Sequence, residues 1–117
     1  MKQFLSGKIH GLRVTDKDVG YTGSVTIDAA LMRAAGIEPY EKVQVVNLSN
    51  GRRWETYALE GAPGAGQFVL NGGSARLGET ADVCIVMSYR FGDKVSPCLI
   101  YVDENNRIAD ILRSTPG

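Results

Sequence analysis

Apolar residues recur along this chain in short runs that alternate with polar ones, and glycine, asparagine or aspartate interrupts them at short intervals. That period of two is the signature of half-buried strands. Residues 3–15 form the first, with Ile9, Leu12 and Val14 apolar, and Gly7 and Gly11 allowing a bend or bulge. Lys8 and His10 are two apart and share one face of it. Residues 15–18 are polar and turn-like, and residues 21–27 read as a second strand interrupted by Gly23. Asp28 then caps the one clear helix, residues 29–35, whose apolar stripe is Leu31, Ala34 and Ala35 and whose stop is Gly36.

Past a turn at residues 38–41, residues 42–48 alternate with Val43 and Val45 on one face. Asn50-Gly51 is the clearest hairpin signal, and residues 52–59 form the return strand. A loop at 61–66 leads to a short strand at 67–70, the turn Asn71-Gly72-Gly73-Ser74, and one helical turn at 74–77. Residues 83–87 read as a buried strand, and 90–97 as a loop. Residues 99–102 and 108–112 pair across Asp103-Glu104-Asn105-Asn106, and residues 114–117 form a frayed tail. Seven or so strands with one small helix predict a mainly β domain, closed into a barrel, with an open sandwich as the alternative.

Composition narrows the function. At 117 residues the chain fits a single domain, 1–117, small enough that oligomerisation would supplement its core. Thirteen basic and thirteen acidic side chains cancel without a basic block, so neither nucleic acid nor an anionic membrane is an expected partner. Cys84, Cys98 and the single histidine have no metal-ligand spacing, so no metal is expected. The N-terminus lacks the apolar run of a signal peptide and no stretch reaches membrane-spanning length, which predicts a soluble, cytoplasmic protein.

The stretch with distinctive chemistry is Gly20-Tyr21-Thr22-Gly23-Ser24-Val25-Thr26-Ile27-Asp28. The Ser24 hydroxyl lies one five-membered ring from the Gly23 carbonyl carbon. In a strained backbone it can attack that carbon and move the acyl group from nitrogen to oxygen. Elimination at Ser24 then breaks the ester, and hydrolysis of the dehydroalanine leaves a pyruvoyl group at a new N-terminus. Gly23 suits this step because it has no Cβ and tolerates backbone forms closed to other residues.

A wider set of residues gives this stretch a context. Gly7-Lys8-Ile9-His10, Tyr21-Thr22-Gly23-Ser24 with Ile27-Asp28, Ala34-Ala35-Gly36-Ile37, Asn50-Gly51-Arg52-Arg53, Thr56-Tyr57-Ala58 and Asn71-Gly72-Gly73 with Ala75 follow one another along nearly the whole chain. In that order and spacing the sequence resembles the aspartate alpha-decarboxylase family, pyruvoyl-dependent enzymes that make β-alanine for pantothenate synthesis. The resemblance implies a six-stranded double-psi β-barrel with one or two short helices, assembled as a homotetramer with active sites between subunits. It implies an inactive precursor cut between Gly23 and Ser24 into a short chain, 1–23, and a pyruvoyl chain, 24–117. A maturation helper protein, needed by some relatives, is a possible further partner.

On the same resemblance, the Ser24-derived pyruvoyl ketone forms a Schiff base with L-aspartate and takes up the electrons left as carbon dioxide departs. Pyridoxal phosphate would need a phosphate cradle, and no glycine-rich loop of the usual spacing is present. Ser24 and Tyr57 are the catalytic residues, the phenol returning a proton to the α-carbon. Gly23, Ser24, Thr56 and His10 serve self-cleavage, Thr56 by bonding the reacting carbonyl and His10 by assisting elimination. Lys8, Arg53, Thr56, Gly72, Gly73 and Ser74 bind substrate, the two cations on its carboxylates and the glycine turn through backbone N–H groups. Arg52 is read as a solvated surface charge and Asn71 as a stabiliser of the turn. Alternation puts Thr56 and Tyr57 on opposite strand faces, a conflict that a bulge or an intersubunit site would remove. Val46 stands where some relatives have tryptophan, and Gly73-Ser74 where alanines are commoner, which bears on pocket shape. The alternative readings are a small DNA-binding or interaction barrel without catalysis, and a pyruvoyl enzyme acting on glutamate.

Overall fold

The computed structural model describes residues 1–21 and 23–113; Thr22 of the cleavage stretch and the tail at 114–117 lie outside the described residues. The strands are β1 (Lys2–Arg13), β2 (Asp16–Asp18), β3 (Ser24–Asp28), β4 (Lys42–Asn47), β5 (Arg53–Gly61), β6 (Phe68–Asn71), β7 (Val83–Gly92), β8 (Cys98–Val102) and β9 (Ile108–Arg113). One α-helix, α1 (Ala29–Ala35), and one 3-10 helix at Gly72–Arg76 complete the described chain. The fold is mainly β, as the alternation predicts. The strands form one ladder in the order β2-β6-β3-β5-β4-β7-β1-β8-β9, wrapped as a small barrel-like domain. Three of its pairings are parallel, β1 with β8, β2 with β6 and β3 with β5, joining segments distant in sequence.

β1 shows why its glycines matter. Against β7 its register slips between Leu5 and Gly7 and again between His10 and Leu12, leaving Ser6 and Gly11 as the extra residues. Gly11 has φ +86, and a Cβ on Gly7 would come within 2.4 Å of the Ala35 carbonyl oxygen, so β1 packs directly on the end of α1. Between the slips, residues 7–10 run regularly, and Lys8 and His10 do share a face.

Asp28 caps α1 as expected, its carboxylate accepting from the Ala30 N–H at 2.8 Å. It also accepts from Gly64 N–H and Gly66 N–H, both at 2.9 Å, so one buried carboxylate ties the 62–66 loop to the helix start. Burial alone would raise its pKa, but these three backbone donors and nearby Arg107 hold it below the ordinary aspartate value. Gly36, at φ 74, ends the helix. The buried stripe is Ala29, Leu31, Met32 and Ala35; Met32 joins it, while Ala34 is only half-buried.

Some expectations are corrected. Residues 16–18 are not a turn but strand β2, held by parallel pairing with β6. The second strand begins at Ser24, not at 21. β7 continues to Gly92 through part of the expected 90–97 loop, because the start of β1 pairs with it as far as Lys2 opposite Gly92. It is buried at alternate positions only, so it covers the core with one face. The core lies inside the curved ladder, where Phe68, Ile9, Leu12, Ile27, Leu31, Met32, Leu70 and Ile100 are almost fully enclosed.

Candidate active site at the Gly23-Ser24 junction

Ser24 is fully buried and opens β3 with φ 136, a backbone form that favours glycine, and Gly23 before it has φ 38. A non-glycine residue held there costs about 1–3 kcal/mol, which the surroundings must offset. The surroundings do hold it. Ser24 pairs with Asn71 across the antiparallel β3–β6 ladder, and the Asn71 amide donates to the Ser24 hydroxyl oxygen at 3.1 Å and to the Thr26 hydroxyl oxygen at 2.9 Å. The Asn71 side chain makes no cap bond to the following 3-10 helix, so its expected role in the turn gives way to one at Ser24.

Gly72, at φ +57, presses against the same peptide. A Cβ there would lie 2.3 Å from Gly23 N and 2.4 Å from Tyr21 O, so only glycine lets the β6 exit approach the junction. Gly73 has open space around it. Ser74 is buried, and its hydroxyl accepts from the Trp54 indole N–H at 3.0 Å, so that side chain pins the 3-10 helix to β5.

β5 lies on the other side of β3. Val25 pairs with Ala58 in parallel, so Ser24 and Tyr57 are the residues that immediately precede the first pair of this ladder. Tyr57 stacks on Tyr40 with ring centroids 6.2 Å apart, and Tyr40 is mostly exposed at φ 68. Nothing in the sequence singled out Tyr40. The β4–β5 register is unbroken from Arg53 to Tyr57, so no bulge rotates Thr56 onto the Tyr57 face. Thr56 stays on the face of Trp54 and Ala58, and Tyr57 on the face of Arg53. Four residues of strand put Arg53 about 13 Å along β5 from Tyr57.

Lys8 and His10 lie elsewhere. The row Arg53, Val46, Ile85, His10 runs across β5, β4, β7 and β1 through their registers. Arg53 and His10 therefore share the outer face of the sheet at three strand spacings, about 14 Å. His10 Nδ1 is buried without a hydrogen-bond partner, and the ring packs on Tyr101 at 5.5 Å. Burial, with the Lys8 charge adding to it, lowers the His10 pKa, so the imidazole stays neutral at neutral pH. A single chain thus divides the expected site between a Ser24 group and a Lys8–His10 group, with Arg53 apart from both. A cavity of about 330 Å³, lined by residues including Lys42, Glu55 and Tyr89, holds none of the expected site residues.

Comparison with known proteins agrees with the motif order. The aspartate decarboxylase family model matches residues 1–109. The chain belongs to the aspartate decarboxylase family. Similar proteins include the aspartate 1-decarboxylase of Geobacillus sp. (strain WCH70), 43% identical over 121 residues that cover 99% of this chain and 95% of the relative. Aspartate 1-decarboxylase 2 of Gloeobacter violaceus is 45% identical over 97% of this chain and 95% of its own. The Neisseria meningitidis aspartate 1-decarboxylase is 44% identical over 98% and 94%. This family of enzymes is a carboxy-lyase family, and the similarity runs through both the Ser24 and the Lys8–His10 segments. Among the described residues no three His, Cys, Asp or Glu side chains come together to hold a metal, and no helix is long and apolar enough to cross a membrane.

Proposed function

We propose that this chain decarboxylates L-aspartate to β-alanine and carbon dioxide, after cutting itself between Gly23 and Ser24 into 1–23 and 24–117. The observation that carries the reading is the junction itself, a buried serine at φ 136 behind a glycine at φ 38, inside a chain of this family. The Ser24 hydroxyl attacks the Gly23 carbonyl carbon, its proton leaves, and the peptide nitrogen becomes the amine of an ester-linked residue. Release of that strain favours the shift, and Asn71 fixes the hydroxyl while Gly72 fixes the glycine. The residues around Ser24 fit its conversion to a pyruvoyl group, because the site is buried and supplies a hydrogen-bond donor where the side-chain oxygen sits. That group, when formed, supplies the electron sink that α-decarboxylation needs.

The chain's own residues do the rest. Tyr57, one residue before the Ala58–Val25 pair, holds the proton that the α-carbon receives. Arg53 and Lys8 grip carboxylates, and the backbone at Gly72, Gly73 and Ser74 offers N–H donors. Thr56 bonds the scissile carbonyl, and neutral His10 accepts a proton during elimination. Lys8 and His10 reach Ser24 from a neighbouring subunit in a homotetramer. The half-buried outer face that carries them, with Val46, Ile85, Met87, Leu99 and Tyr101, supports such an assembly. A cytoplasmic location fits a chain without a long apolar helix among its described residues. Incubating purified protein with L-aspartate and, separately, L-glutamate tests the substrate. β-Alanine and carbon dioxide from aspartate alone are expected; equal or greater turnover of glutamate would overturn the choice of substrate.

A further inference from the structure

A second place on the molecule has its own chemistry. A cleft of about 190 Å³ opens where the C-terminal end of α1 meets β1, β7 and the β8–β9 hairpin. Arg33, Arg90, Arg113, Ser6, Ser96 and Cys98 line it, and none of the residues assigned to the reaction does. We infer that this cleft binds a small dianion, of phosphate or short dicarboxylate size.

Charge is the first argument. The whole chain balances thirteen cations against thirteen anions, yet this cleft is lined by three arginines and, among the described residues, by no carboxylate. Arg33 reaches Glu60 only at 3.8 Å, and neither Arg90 nor Arg113 makes an ion pair among the described residues. An anion seated in the cleft would offset the like charges of these arginines.

The plainest competing use for these arginines is to cap the carbonyls that end α1. Three of those four carbonyls are already taken. Gly36 N–H donates to Arg33 O at 3.2 Å, Ile37 N–H to Met32 O at 2.8 Å, and the Cys98 thiol to Ala34 O at 3.1 Å. The helix end contributes at most about half a negative charge against an anion, well short of three full positive charges. The guanidinium forks match oxyanion geometry, and the Ser6 and Ser96 hydroxyls add neutral donors. Size sets the class of ligand, since this volume falls below the roughly 300–1,000 Å³ of sites for larger organic ligands.

Titration calorimetry of the mature protein with inorganic phosphate, and separately with succinate, tests the inference at low ionic strength. Saturable binding at one site per chain is expected from at least one of the two, with no such signal from potassium chloride. Phosphate binding that the Arg90/Arg113 substitutions weaken would assign the cleft to phosphoryl groups, and succinate binding that they weaken would assign it to dicarboxylates, since succinate held at the aspartate site would survive them. The Arg90→Ala/Arg113→Ala double variant should weaken that binding by about tenfold or more, since it removes charged hydrogen-bond donors. Its aspartate turnover should be unchanged. Both arginines are exposed, so the fold should tolerate their removal. No saturable binding of either anion, or the same affinity in the double variant, would overturn the proposal.

Discussion

At the scale of single residues, the glycine pair after β6 separates a tight contact from a merely permissive turn. A methyl group at position 72 would enter the Gly23 backbone, whereas position 73 is open. Gly72→Ala should therefore block or greatly slow chain cleavage, while Gly73→Ala should mature at the wild-type rate, as denaturing gels over time will report. Equal cleavage in both would remove Gly72 from its place behind the junction. Tyr57 directly precedes the β5 residue that pairs with Val25, and its phenol is the one acid assigned to the α-carbon. Tyr57→Phe should still be cut, but with kcat lower by about 10²–10⁴. Full turnover would take Tyr57 out of the reaction. Asn71 is the residue whose role changed most between sequence and structure. Its amide belongs to the Ser24 and Thr26 hydroxyls, a pairing across 47 residues of sequence that no local turn rule can reveal.

At the scale of elements, Asp28 links β3, α1 and the 62–66 loop through three backbone donors. Because its folded pKa is depressed, its contribution is present above the ordinary aspartate value and is lost as pH falls through the folded value. Asp28→Asn should lower unfolding stability at pH 7 by about 1–3 kcal/mol, and the gap from wild type should narrow in acid. Urea melts at the two pH values will show whether it does. What the sequence made legible here was local. Asp28 and Gly36 bracket α1, and Asn50-Gly51 marks the β4–β5 hairpin. That connection runs from Leu48 to Arg52, with Gly51 at φ 79, rather than a two-residue turn. What stayed hidden was non-local. β2 looked like a turn because its three polar residues become a strand only through β6, some fifty positions later. Alternation placed Arg53 with Tyr57, and Lys8 with His10, on common faces correctly. It carries no information on strand order, and so could not separate the two groups by the width of the sheet.

At the scale of the whole molecule, that separation is what the proposed assembly must bridge. If Lys8 of one subunit completes the Ser24 site of another, Ser24→Ala and Lys8→Ala subunits should each be inactive or nearly so alone, and regain activity when assembled together. A mixture no more active than the sum of its parts would confine each site to one chain. Both results concern how the site is shared. The claim beneath them is that the chain makes its own carbonyl group, and intact mass under denaturing conditions tests it most directly. Two species are expected, 1–23 and 24–117, the larger without a free amino terminus and reactive toward hydrazines, while Ser24→Ala gives one uncut chain without activity. A preparation that runs as an unbroken 117-residue chain and still releases carbon dioxide from aspartate would contradict the account.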